Sequence, residues 1–355
     1  MKRIPLAILT LFSLFSVSYF FYHVCGDLLD APDIAVVGDF LREDRNEEAL
    51  KLIEKSLPGH GGNGYLFYLK AMALKNQGLY ERALEELEKS IKLGYPEAAS
   101  YNLKAFILGE YLKDYEGEIF YASKSLSLDP FDTEAYFMRA RAYAETGREE
   151  KALADLNSAV KIDPSDYSLL PERAGLLTGL GKYPEAVSDL KKALLRYPEN
   201  PEIWFGLYKA YKGAGLRSNA IYCVSRAVSA SPETADYLEE RAFFLEELGD
   251  YSGACEDMGK AAALRGKEIS SYDAYFLSKQ LYRLNRQKEA LEYAELAMAK
   301  TGADLPLLYD LRGRINFQEG RVKEALKDWK KSADLGYGPA GEKLAHLVRR
   351  AGSGK

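Results

Sequence analysis

Between Thr133 and Pro164 the apolar and small positions fall at Tyr136, Ala140 and Tyr143, then, past Gly147, at Ala152, Leu156 and Ala159. Spacings of three and four place each trio on one face of a helix. The segment therefore predicts two amphipathic helices joined by a turn at Gly147. The same order returns in the next three segments. The mid-hairpin glycine recurs as Gly181, Gly215 and Gly249, and the second-helix alanine as Ala186, Ala220 and Ala254. Pro130, Pro164, Pro198 and Pro232 stand at equal intervals and mark where each second helix stops. Units of this size cannot bury their apolar faces alone, so they stack.

Each column has a physical task. Ala140, Ala174 and Ala242 are small because the two helices of a hairpin cross there, and a larger group would force them apart. The glycines close first helices in a left-handed conformation that costs Gly little. The period continues on both sides of this core. N-terminally, Ala83 with Gly78-Leu79-Tyr80 marks another hairpin, and Ala105 follows Ala71 by one period. One repeat is longer by a single residue; in it Glu118 replaces the usual Ala, and Leu112-Lys113-Asp114-Tyr115 predicts a longer turn. C-terminally, Ala290 follows Ala254, and Ala325 follows Ala290, slightly beyond one period, which places short insertions near Gly266 and Gly302. Ala49 indicates a degenerate first hairpin, and Gly338–Arg350 a lone helix covering the last one, as atypical terminal caps.

These columns resemble the tetratricopeptide family, over about residues 33–350. The resemblance implies an all-α fold, a right-handed superhelical solenoid of antiparallel helix pairs, with eight repeats plus one degenerate repeat. The junctions Leu93-Gly94-Tyr95-Pro96-Glu97-Ala98 and Leu335-Gly336-Tyr337-Gly338-Pro339-Ala340 also resemble the related Sel1 repeat. The chain divides into an N-terminal segment (1–26), a degenerate cap with a Gly-rich linker (27–63), the array (64–338), and a capping helix with its tail (339–355).

One correlation crosses each hairpin. The residue before the small first-helix column is Arg139, Arg173, Arg241 or Arg312 in four repeats; at the same offset beyond each stands Asp155, Asp189, Asp257 or Asp328. Lys70 and Glu86 are complementary in the same way, Lys104 faces Tyr121, and the remaining partners, Leu207 with Cys223 and Leu277 with Tyr293, are both uncharged. A row of ligand-binding arginines would not need matching aspartates, so these are read as structural ion pairs.

The N-terminus changes the picture of where the array resides. Lys2-Arg3 precede an uncharged run from Ile4 to Gly26, and Asp27, Asp30 and Asp33 follow it. Basic residues before and acidic ones after predict an N-terminus inside and repeats outside the cytoplasm. The run is long enough to span a bilayer as an uncleaved anchor. Ser16-Val17-Ser18 offers a signal-peptide cut, and Cys25 a site for lipid attachment, although His23-Val24 departs from the lipoprotein pattern. The expectation is a membrane-anchored chain with extracytoplasmic repeats, periplasmic or in a cell envelope, and secreted if the segment is cleaved.

Composition narrows the chemistry. With 48 basic and 53 acidic residues the net charge is −5, which argues against nucleic-acid binding through phosphate contacts. The three His, His23, His60 and His346, have no metal-ligand spacing and nowhere to gather a triad, so no catalytic residue, metal or cofactor is expected. Gly59-His60-Gly61-Gly62-Asn63-Gly64 matches a dinucleotide fingerprint in letters, but it follows a helix and not a strand, and reads as linker. Gly352-Ser353-Gly354-Lys355 is chain end. Cys223 and Cys255 lie in different columns and read as small core residues.

The resemblance places first helices on the concave side, where extended peptides or partner helices lie. One first-helix column reads Tyr68, Asn102, Phe137, Pro171, Phe205, Glu239, Tyr275 and Asp310; one turn on, it reads Met72, Phe106, Arg141, Gly175, Lys209, Phe243, Lys279 and Arg314. Three repeats thus pair an aromatic with a base, Phe137/Arg141, Phe205/Lys209 and Tyr275/Lys279. With Tyr68 and Phe243 these form the candidate partner-binding groove; the competing reading is a set of intrahelical aromatic–cation pairs. The Lys and Asn set that clamps chaperone C-terminal carboxylates is not matched at Tyr68 with Met72 or at Phe137 with Arg141. The expected function is a non-enzymatic protein-binding scaffold or adaptor. The alternative is a structural subunit of a cell-envelope export or assembly machine.

Overall fold

The computed structural model describes residues 31–60, 63–94, 97–266, 269–301 and 305–352. Among them are nineteen helices and no strand. The apolar run from Ile4 to Gly26, with its flanking Lys2, Arg3, Asp27 and Asp30, lies outside the described residues, as do Tyr95, Pro96, Gly302 and 353–355.

The chain separates into two compact units, residues 1–169 and 170–355. In the first unit, α1 (Ala31–Arg42) and α2 (Asn46–His60) form a hairpin, followed by α3 (Gly64–Asn76) with α4 (Tyr80–Lys92). Next come α5 (Glu97–Phe106), which runs on as a π-helical turn (Ile107–Tyr111), with α6 (Tyr115–Leu128), and α7 (Thr133–Glu145) with α8 (Glu149–Ile162). The second unit pairs α9 (Leu169–Gly179) with α10 (Tyr183–Arg196), α11 (Pro201–Gly213) with α12 (Arg217–Ala230), and α13 (Ala235–Leu248) with α14 (Tyr251–Leu264). It continues with α15 (Ser271–Arg283) and α16 (Gln287–Thr301), then α17 (Pro306–Gln318) and α18 (Val322–Asp334), and ends on the lone helix α19 (Gly338–Gly352).

The hairpins form for the reasons their columns give. Ala152, Ala186, Ala220 and Ala254 are wholly buried, as are Ala49, Ala83, Ala290 and Ala325 at the same place in other hairpins. Four first helices begin on side-chain caps, from Asn63, Asp132, Asn200 and Ser270: Asp132 accepts from the Ala135 amide at 3.0 Å, and Ser270 from that of Asp273 at 3.0 Å. The periodic prolines stand just past the ends of α6, α8, α10 and α12. The left-handed turn residue is Gly147 (φ 72°) in one hairpin, but Asp44 (φ 59°), Lys113 (φ 57°) and Asn285 (φ 58°) fill it in three others.

Neighbouring hairpins join through small three-helix clusters. Ala105, Ala122 and Met138 bring α5, α6 and α7 together; Ala274, Ala297 and Leu308 do the same for α15, α16 and α17. In the last hairpin Gly313 occupies the small first-helix column, because Trp329 fills the space: a Cβ there would lie 2.7 Å from Trp329 Nε1. Ala340 of α19 then packs on Trp329 and Ala325.

The interhelical ion pairs form as the sequence correlation requires. Arg139 Nε and Nη2 donate to Asp155 Oδ2 and Oδ1 at 2.7 and 2.8 Å, and Arg173 meets Asp189 at the same two distances. Arg241 donates to Asp257 at 2.6 and 2.7 Å, and Arg312 to Asp328 at 2.9 and 2.7 Å. Lys70 reaches Glu86 at 3.3 Å, and the Lys104 ammonium lies 4.2 Å from the Tyr121 ring. All four forks are bidentate, the strongest geometry available to Arg and carboxylate.

The lengthened repeat differs from its expectation. Its turn, Leu112-Lys113-Asp114, is no longer than Thr146-Gly147-Arg148 of the next hairpin. The extra residue is absorbed inside the first helix, as the π-helical turn. Glu118, in the alanine column, is fully buried, and its bulk fits because residue 109 is Gly: a Cβ there would lie 1.8 Å from Glu118 Oε2. The helix α2 also runs further than its pattern, carrying Pro58 inside and ending at His60.

Candidate partner-binding face

The eight residues singled out by the columns fall in both units. Tyr68, Phe137 and Arg141 belong to the first unit; Phe205, Lys209, Phe243, Tyr275 and Lys279 belong to the second.

In the first unit Tyr68 packs on the cores around Leu69 and Leu74, and burial pushes its phenol well above the ordinary range. Phe137 is half-buried. Arg141 is held by two carboxylates, Glu110 at 2.8 Å and Glu118 at 2.7 Å. It ties one hairpin to the preceding one, and this is what makes the buried Glu118 tolerable. Burial still dominates that carboxyl, raising it above its ordinary value while Arg141 pulls the other way.

In the second unit the first helices α11, α13 and α15 present a run of aromatic rings. Phe205 lies 5.5 Å from Tyr208 on its own helix and 4.8 Å from Tyr237 on α13, measured between centroids. The exposed Lys209 ammonium stands 4.7 Å over the Phe205 ring. Phe243 meets Phe276 at 5.3 Å and the exposed Tyr272 at 6.2 Å, both edge to face. The polar groups beneath are tied together: Lys212 donates to the Tyr208 hydroxyl at 3.1 Å, which donates to Glu240 at 3.2 Å. Lys279 is committed to Glu246 of α13 at 2.6 Å. Tyr275 packs against two core clusters, and burial raises its phenol.

Of the three aromatic–base pairs, Phe205/Lys209 makes the direct ring–cation contact, whereas Arg141 and Lys279 turn to carboxylates of preceding hairpins. The column reading missed Tyr237 and Tyr272. The column that holds Phe205 puts Glu239 in the next repeat; Tyr237 stands short of it, and only the packing of adjacent first helices brings the two rings together. Tyr272 is 57% exposed, and its signal in the sequence was no more than a large aromatic beside a helix cap.

Chemically this surface offers π-faces, the exposed Lys209 cation and a hydrogen-bonded polar floor. Among the described residues no cluster of three His, Cys, Asp or Glu could hold a metal. Cys223 and Cys255 are free thiols, the first pushed up to about 11 by burial. Among the described residues no helix is long and apolar enough to cross a membrane.

The family description of the tetratricopeptide repeat matches residues 65–93 and 133–166. The chain is built of tetratricopeptide repeats. Solved structures agree in fold: a tetratricopeptide repeat protein from Parabacteroides merdae superposes with a TM-score of 0.53 at 20% identity, over 71% of this chain and 98% of that one. The C-terminal part of a repeat-containing protein from Cytophaga hutchinsonii gives 0.56 at 14%, over 66% and 96%. Among curated relatives, the Arabidopsis thaliana DnaJ protein P58IPK homolog is 23% identical over 62% of this chain and 49% of its own. The tetratricopeptide repeat protein 37 of Xenopus laevis is 26% identical over 86% of this chain and 19% of its own. The chain thus spans about half the length, or less, of these curated relatives. The rings of α11, α13 and α15 stand on the first helices of their hairpins.

Proposed function

We propose that this tetratricopeptide chain is a non-enzymatic scaffold that binds a partner peptide or helix along the first helices of its second unit. The observation that carries the reading is the pair of ring contacts between adjacent first helices, Phe205 with Tyr237 and Phe243 with Tyr272, flanked by the exposed Lys209. Rings held rigidly by neighbours yet open on one side bind with little loss of rotamer freedom, which is why aromatics dominate binding hot spots. The scaffold stands outside the cytoplasm, tethered by the N-terminal segment, as Lys2-Arg3 before the run and Asp27, Asp30 and Asp33 after it support.

A pull-down from solubilised membranes tests both parts. Wild type should retain a partner that Phe205→Ala and Tyr272→Ala lose, each weakening binding by about 1–3 kcal/mol. A reporter active only in the cytoplasm, fused after Lys355, should be silent. Normal binding by both variants removes the face, and an active reporter removes the topology. A single stoichiometric complex would identify the alternative, a structural subunit of an envelope export or assembly machine.

A further inference from the structure

Three successive first helices of the first unit, α3, α5 and α7, curve around a common space. The Tyr68 phenol on α3 and the Lys75 ammonium near the end of the same helix both feel the charge of Glu134, two hairpins on in α7. Between them Asn102 of α5 donates to Asp132, whose other carboxylate oxygen caps α7. Most charges on these helices have partners. Lys70 and Lys104 reach Glu86 and Glu88, Arg139 grips Asp155, Arg141 holds Glu110, and Glu97 accepts from the Tyr101 hydroxyl. Among the described residues Lys75 and Glu134 have none, nor does Glu145, about three turns further along α7. Glu134 is exposed, yet the protein around it raises its carboxyl above the ordinary value; Asp132 raises it further, and Lys75 pulls the other way. Lys75 is half-buried, stands 5.7 Å over the Phe106 ring, and is held below its ordinary value by burial. Asn102 adds a buried carbonyl oxygen that has no donor. Two opposite charges are thus partly stripped of water without the counter-charges that would offset the loss.

We propose that this face of the first unit binds an extended peptide carrying both a basic and an acidic side chain, the base seated on Glu134 and the acid on Lys75. A peptide of one sign would leave one of the two groups unmatched and set like charge against it. The base belongs at Glu134 because Asp132 and the open Asn102 oxygen stand with it, and the acid at Lys75 because Phe106 offers that ammonium only a ring face. The Tyr68 and Phe106 rings give the stems of both side chains an apolar surface to lie on. No residue of the α11, α13 and α15 face takes part, so this is a second site and does not rest on the first.

Titration calorimetry of the full-length chain, in one non-ionic detergent throughout, provides the test. Three peptides are compared, built of Ala-Arg-Ala-Glu, of Ala-Arg and of Ala-Glu repeats. Each is about eight residues long, enough when extended to cross three helices set about 10 Å apart. The mixed peptide should bind about tenfold tighter than either peptide of one sign. Glu134→Gln should abolish its advantage over the Ala-Glu peptide, and Lys75→Met its advantage over the Ala-Arg peptide. Circular dichroism melting should show both variants folded, since one keeps the shape of the side chain and the other its apolar stem. Phe205→Ala should change none of these affinities; loss of the mixed peptide in that variant would move it to the second unit and overturn the proposal. Failure of the mixed peptide to bind overturns it as well, as does equal binding of all three. So do losses in melting temperature that fail to add when Glu134→Gln and Lys75→Met are combined, because the two side chains would then be each other's partner.

Discussion

The third and fourth hairpins sit next to each other in one unit and solve the same packing problem differently. In the fourth, α7 and α8 meet through Ala140 and Ala152, both buried, and Arg139 grips Asp155 from the side of the crossing. In the third, the alanine of the second helix has become Glu118, and three departures accompany it. The first helix loosens into a π turn, residue 109 is reduced to Gly, and a non-glycine, Lys113, takes the left-handed turn. The charge that the fourth hairpin satisfies within itself is satisfied in the third by borrowing Arg141 from its neighbour. A repeat can therefore hold a buried charge internally or share it with the next repeat, and sharing couples the two hairpins.

The largest effect should come from breaking the internal solution. Asp155→Ala strands Arg139 against α8 and should cost about 3 kcal/mol, the low end for a buried pair because Arg139 keeps some access to water. Arg139→Met with Asp155→Leu should cost less than the single change. Denaturant unfolding of both variants and of Arg139→Met alone checks this, and a double variant that loses the sum of the two single losses would mean that the two side chains do not depend on each other.

The shared solution is tested at Gly109. Gly109→Ala would drive a methyl into Glu118 and should cost about 1–3 kcal/mol, the range for overpacking. Adding Glu118→Ala removes the clash and should restore much of the loss, so the two changes are strongly non-additive. Simple addition of their effects in denaturant unfolding would show that the glycine is not there to seat the carboxylate.

The smallest effect is in pH. Burial raises the folded Glu118 carboxyl above its unfolded value, so its contribution to stability is fully present below the unfolded value and lost as pH rises through the folded one. Glu118→Gln lacks that titration. Relative to the variant, the wild type should lose melting temperature as pH rises from the acidic to the neutral range. The opposite slope would mean that Arg141 outweighs burial at this site.

Much of this fold was legible from the columns because a stacked hairpin is a local structure. Its caps, turns and buried alanines lie within one period of each other, so Pro164, Gly147 and Ala152 announce their roles in sequence order. The bidentate forks were legible too, since charge complementarity at one constant offset, repeated in four hairpins, can only mean contact across a hairpin. The face was less so. Arg141 and Lys279 read as free bases because their carboxylate partners, Glu110 and Glu246, lie in the preceding hairpin and off any fixed column.

The sequence by itself determined that the chain is an array of helical hairpins, where each turns, and which positions are buried, because periodic burial is written directly into residue size. Only the tertiary structure decided where the extra residue of the third repeat goes and which rings meet. A helix can absorb an insertion as a π turn or pass it to the following loop at similar local cost. The choice is made by what packs against it, here Glu118 held by Arg141 of the next repeat.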